Sequence, residues 1–313
     1  MEKGMFVRFN LFLLINLLVL ACSGIKPIKR EIQSQPDFFS SLKQYAPTTI
    51  ELRPGEVRII RIPVQGVTSD SVVECNGSSL KFAQEGDQLV FVLAESYFSS
   101  KQSYSCYVGH TYESEKQTAE ILKVQVHEKK FPGERLYVDQ KKIFLSAEDQ
   151  ARVDREQLAL NQMYKETSQE FYPVGPFIRP LNTKVTSIYG TRRIFNNHKQ
   201  TQHLGVDFRA IVGTEVKAAS NGRVVFASDL FYTGNTIIID HGLGLFSVYG
   251  HLKEHFWNTG DFVKQGDVIG LSGRSGRVTG PHLHWGVKAN GNWVDGLYLV
   301  DDGKADLTYV KFE

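Results

Sequence analysis

Residues 216–228 read VKAASNGRVVFAS, two short runs with Asn221-Gly222 between them. Asn-Gly in that setting is the strongest local hairpin signal, because both central residues of a tight two-residue turn take positive φ. A second pair, Asn290-Gly291, follows the run HLHWGVK at 282–288, and TIIID (236–240) and LFSVYGH (245–251) read as further strands. No long helical pattern interrupts them. Of the 27 glycines, 19 lie from Gly175 onward, so this part is also turn-rich. The expectation is a C-terminal antiparallel β domain over 175–313.

Working outward, residues 47–130 hold short runs rich in β-branched and aromatic residues at 48–52, 57–64, 71–75, 88–94, 103–108 and 120–126. Their length and spacing predict a small β-sandwich, an accessory domain that carries no chemistry of its own. His110 and His127 are isolated in it and read as surface residues. Residues 131–174 form a linker. Within it 146–169 contains no glycine or proline, and Ser146 stands three residues before Asp149, an approximate capping box. This predicts a connecting helix, with Leu158, Met163 and their neighbours packed on a β region. The fold class expected for the whole chain is mainly β.

The chain opens with two basic residues, Lys3 and Arg8, and an apolar run from Phe9 to Ala21. That run is too short for a comfortable bilayer span of about 20 residues and reads as an export signal over 1–21. Leu20-Ala21-Cys22 resembles the bacterial lipobox, which predicts lipidation of Cys22 and a polar tether over 22–46. The protein is then expected to be exported and held to a bacterial membrane by its lipid, facing the cell wall. Cys75 and Cys106 remain as an even pair in an oxidising compartment, and a disulfide between them is expected. With 36 basic against 34 acidic side chains there is no basic excess to neutralise phosphates, so no nucleic-acid partner is expected.

Seven of the nine histidines lie after residue 195: His198, His203, His241, His251, His255, His282 and His284. Clustered imidazoles with an acidic partner suit Zn²⁺. In His282-Leu283-His284 the two histidines would share one strand face while Leu283 takes the other. In His203-Leu204-Gly205-Val206-Asp207 the ends of a straight strand would lie about 13 Å apart, too far for one metal. Gly205 supplies the place for a bend. His241, in Asp240-His241-Gly242, reads as structural, and His198 and His255 as solvated.

The segments HLGVDF, VYGHL and GPHLHWG, in that order, resemble the lysostaphin-type (LytM-like) zinc metallopeptidases of peptidoglycan, over about residues 180–295. One departure is Asp295-Gly296, where many relatives carry a proline. The resemblance implies a zinc-dependent murein endopeptidase whose substrate is a peptidoglycan stem or cross-link peptide. It implies His203, Asp207 and His284 as zinc ligands, with His251 and His282 as catalytic groups beside the metal. One of these two would take the proton from the attacking water. The other would stabilise the oxyanion or protonate the leaving amine; which does which stays open. Some relatives have lost metal ligands and activate other wall hydrolases, so an inactive activator is the alternative reading.

Overall fold

The computed structural model describes residues 47–300, apart from 65–66, 68–69, 113–114, 138–144 and 197–198. The expected signal segment 1–21, Cys22, the expected tether 22–46 and His198 lie outside the described residues. The first part of the chain contributes nine strands: β1 (Thr48–Leu52), β2 (Val57–Pro63), β3 (Val72–Cys75), β4 (Ser78–Leu80), β5 (Phe82–Glu85), β6 (Gln88–Ala94), β7 (Ser103–Tyr112), β8 (Glu115–Val126) and β9 (Gly133–Leu136). Helix α1 (Ala147–Met163) follows. The rest contributes β10 (Val185–Ser187), β11 (Arg192–Phe195), β12 (Lys199–Gln202), β13 (Val206–Arg209), β14 (Glu215–Lys217), β15 (Gly222–Leu230), β16 (Gly234–Gly242), β17 (Leu245–His255), β18 (Phe262–Val263), β19 (Val268–Ser272), β20 (His282–Ala289) and β21 (Asn292–Val294). The protein is mainly β, with one α-helix among the described residues.

Strands β1–β8 make two sheets, ordered β1-β8-β7-β3-β4 and β2-β6-β5. Cys75 and Cys106 are directly opposed across β3 and β7 and are joined by a disulfide. Alternation along β6 shows how the second sheet is used. Leu89, Phe91 and Leu93 enter the core shared with the first sheet, whereas Val90 and Val92 enter a core shared with the C-terminal strands. On β2, Ile60 and Ile62 face one way and Val57 and Ile59 the other. The β2-β6-β5 sheet is thus the middle layer of three. Each of these four side chains stabilises the contact with the C-terminal part by roughly 1.5–3 kcal/mol when fully buried.

Ten of the twelve C-terminal strands form one sheet whose main path runs β10-β13-β20-β17-β16-β15-β18, with every pair antiparallel, while β11 and β12 join β9 in a small third sheet. Asn290-Gly291 makes the expected tight turn between β20 and β21, with φ of 47° and 81°. Asn221-Gly222 does not. β14 pairs with β19, and β15 pairs with β16 and β18, so the runs flanking this Asn-Gly are not partners. Their residues serve tertiary contacts instead. A Cβ on Gly222 would stand 2.5 Å from the Asp240 carbonyl oxygen, and the Asn221 carbonyl accepts from His241 Nδ1 at 2.7 Å.

Helix α1 starts where Ser146 Oγ accepts from the Asp149 amide at 3.1 Å. It covers the back of the sheet through Leu160 and Met163, which pack with Tyr164 on Ile238, Phe246 and Val248. Leu158, expected to pack, is instead 74% exposed. It lies two residues from Leu160 and therefore on another face of the helix.

Candidate metal centre

Strand β20 is central to the site because its two faces differ. Leu283, Trp285 and Val287 enter the main core, and His282 and His284 stand on the opposite face. Asp207 of β13 is the direct cross-strand partner of His284, and Phe208 is the partner of Leu283. One register therefore places the carboxylate beside the imidazole and the phenyl ring in the core. His203 lies just before β13 and is fixed by backbone: its amide donates to the Thr191 carbonyl, and its carbonyl accepts from the Gly190 amide.

His203 Nε2, Asp207 Oδ1 and His284 Nδ1 form a triangle with sides of 3.0, 3.0 and 3.2 Å. His203 Nδ1 lies 3.1 Å from the Ile188 carbonyl. A carbonyl only accepts, so Nδ1 carries a proton and Nε2 is the ring nitrogen aimed at Asp207 and available to a metal. Tetrahedral zinc with bonds of ~2.0–2.2 Å sets its donor atoms about 3.3 Å apart. The three residues fit that group. Burial would raise the Asp207 carboxyl, but its contacts with His203 and His284 outweigh burial and hold it well below the usual carboxylate range. It is an anionic donor. Burial pushes His284 down, toward the neutral form a metal requires.

Gly205 stands at a bend just before β13, as expected, and it also acts through the side chain it lacks. A Cβ there would stand 2.5 Å from His284 Cε1 and 2.7 Å from the Trp285 carbonyl oxygen. Gly205→Ala is therefore expected to push the His284 ring out of the triangle. Overpacking of this kind costs about 1–3 kcal/mol. Thermal melts and zinc content of the purified variant check this; wild-type values for both would contradict the steric account.

His251 and His282 flank the triangle without joining it. Their rings lie 4.7 Å apart between centroids, and His282 Nε2 is 3.7 Å from Asp207 Oδ1. Each has its Nδ1 2.9 Å from a carbonyl, that of Ser275 for His251 and of Gly280 for His282. Both rings thus keep Nδ1 protonated and leave Nε2 available. Burial, with His284 and His282 nearby, lowers the His251 pKa to about 3, so this imidazole is neutral at pH 7.

Strand β17 reaches this arrangement through a bulge. Tyr249 and Leu252 pair with Ile237 and Asn235, leaving two residues, Gly250 and His251, opposite Thr236 alone. Regular alternation would have sent His251 to the same side as Tyr249, into the core. The bulge re-aims it, with φ of 62° at His251. The sequence carried a trace of this in Gly250 and in core residues spaced three apart.

The other histidines separate clearly. His241 lies inside β16 rather than in a turn, and its ring is bonded to Asn221 and to Ser247 Oγ. Burial lowers its pKa to about 4, and it acts as a neutral internal strut. His255 is half-buried beside the Trp257 carbonyl, and His127 is exposed near Glu51.

No motif or spacing pointed to Ser275, Ser187 or Arg193. Ser275 Oγ donates to the Leu252 carbonyl and accepts from the Asn235 amide, fixing the carbonyl that holds His251. Ser187 Oγ lies 3.1 Å from His203 Nδ1 and accepts from Arg193 at 2.8 Å.

A family model described as Peptidase family M23 matches residues 201–296, a span that contains His203, Asp207, His251, His282 and His284. The DD-carboxypeptidase/endopeptidase Mpg of Neisseria meningitidis is 37% identical over 119 residues, which is 38% of this chain and 27% of that protein. The chain spans about a quarter of the length of the curated relatives it matches. The catalytic domain of the antimicrobial peptidase lysostaphin from Staphylococcus simulans is 33% identical, covering 41% of this chain and 85% of that domain, with a TM-score of 0.28. A peptidase M23 structure from Pseudomonas aeruginosa shares the fold with a TM-score of 0.57 at 23% identity, over 79% of this chain and 93% of its own. The match falls on the segment that carries the His-Asp-His triangle, and residues 201–296 belong to peptidase family M23.

Proposed function

We propose that this protein is a zinc-dependent endopeptidase that hydrolyses peptide bonds in the stems or cross-links of peptidoglycan. The observation that carries the reading is the triangle of His203, Asp207 and His284, flanked by two imidazoles with free Nε2 atoms. Zinc held by those three residues would acidify a bound water and polarise the scissile carbonyl. His251, neutral at pH 7, and His282 are placed to accept the proton of the attacking water and to pass it to the leaving amine. Their Nδ1 bonds to carbonyls keep each ring in the tautomer that work needs. The relatives named for peptidoglycan endopeptidase activity support the same substrate class.

An activator without catalysis would be favoured by the loss of a ligand or of a flanking histidine. Here all five positions hold the residues the chemistry needs. The proposed setting is outside the cytoplasm, with residues 1–21 removed, Cys22 lipidated and the tether 22–46 leading to the folded part. No helix among the described residues is long and apolar enough to cross a membrane.

The test is digestion of purified sacculi by the full exported chain, with and without a zinc chelator, followed by mass spectrometry of the released fragments. New amino termini within peptide stems, lost on chelation, are the expected outcome. Zinc binding without cleavage would turn the assignment to the activator. The full chain is required because Val57, Ile59, Val90 and Val92 belong to the core of the C-terminal strands.

A further inference from the structure

We propose that Arg193 is a positioning residue for the metal ligands and that Glu134, contributed by the segment before helix α1, holds it in place. The inference rests on the zinc reading and extends it to residues outside the five motif positions.

Strand β9 runs parallel to β11 with Glu134 opposite Arg193. The two side chains meet, with Arg193 Nε donating to Glu134 Oε1 at 2.8 Å. The other end of the guanidinium turns to the site. Its Nη2 donates to Ser187 Oγ at 2.8 Å and stands 4.0 Å from Asp207 Oδ2. Ser187 Oγ in turn lies beside His203 Nδ1. Arg193 therefore faces one ligand directly, across 4.0 Å to Asp207 Oδ2, and reaches a second, His203, through the Ser187 hydroxyl. At Asp207 it draws Oδ2 outward, which leaves Oδ1 as the oxygen aimed between the histidines. At His203 it fixes the hydroxyl that helps set the ring. Groups one step removed from a metal orient the ligands in this way.

Glu134 is the surface end of the relay, with its side chain 43% exposed and that of Arg193 27% exposed. An ion pair that open contributes little to stability by itself. What it supplies is direction, because the planar guanidinium engages partners at both ends in a fixed geometry that a lysine cannot span. A strand lying 59 residues upstream of Arg193 in sequence thereby takes part in building the metal centre.

The sign of the effect separates this role from plain electrostatics. A guanidinium near a cation site repels the cation, so removing it should tighten zinc binding if charge were its only influence. A positioning role predicts the opposite.

Zinc affinity of the full exported chain should be measured by competition with a chromophoric chelator for the wild type, Arg193→Ala, Arg193→Lys, Glu134→Ala and the double alanine variant. Expected are a loss of about 10–100-fold for Arg193→Ala, a smaller loss for Glu134→Ala, and partial recovery in Arg193→Lys. The double variant should match Arg193→Ala alone, because Glu134 acts through the arginine. Melting of the metal-free proteins should change little. Unchanged or tighter zinc binding in Arg193→Ala, or multiplied losses in the double variant, would overturn the proposal. Asp207→Ala serves as the control. If the wild type binds zinc and Asp207→Ala does not, the zinc reading stands whatever Arg193 does. If the wild type takes up no zinc, that reading falls and the inference with it.

Discussion

Asp207→Ala is expected to give a folded protein that neither retains zinc nor cleaves peptidoglycan peptides. The residue supplies the only carboxylate of the triangle and the one charge that offsets the metal's. Losing a group behind the ligands typically lowers metal affinity by 10–100-fold, so losing a ligand should cost at least ~10²-fold. Activity falls with occupancy. The fold should survive, since Asp207 lies beside Val206 and Phe208, whose side chains enter the core independently of it. His284→Ala should behave alike. Elemental analysis and cleavage of a cross-linked muropeptide measure the two effects. Stoichiometric zinc in purified Asp207→Ala would remove this residue from the ligand set.

His251→Ala is expected to do the reverse, keeping its zinc while activity drops by about 10²–10⁴-fold, the usual contribution of a positioned acid or base. Its ring is 6.0 Å from that of His284 between centroids and contributes no atom to the triangle. The positive φ at this position complicates alanine, so His251→Asn is the better second variant; asparagine tolerates that conformation. Agreement between the two would locate the loss in the missing imidazole rather than in the bulge. Substitution of His282 should resemble His251→Ala, although His282 and His284 stand two residues apart on the same strand face. If either His251 variant lost zinc as fully as Asp207→Ala, or kept full activity, the division of roles would be wrong.

Local patterning was enough to read the mainly β character, the helix with its Ser146 cap, and the face of β20 that carries His282 and His284. These depend on period and local turn chemistry, which neighbouring residues set. It also named the candidate donor residues, through motif segments spaced across the C-terminal part. Tertiary packing decided the rest. The Asn221-Gly222 turn failed because its residues are committed to His241 and to the Asp240 backbone, contacts that local propensity does not register. Gly205 lies at the bend its sequence suggested, but the space it leaves for a ring 79 residues away was not legible there. His251 faces the site only because pairing between β16 and β17 inserts an extra residue at Gly250-His251. The β2-β6-β5 sheet looked like half of a separate sandwich because alternation shows that both faces are apolar but not what covers them. One face packs on the first sheet and the other on the core of the C-terminal strands. Partners distant in sequence are chosen by the packing of whole sheets, and that packing also brings Glu134, Arg193 and Ser187 to the ligands.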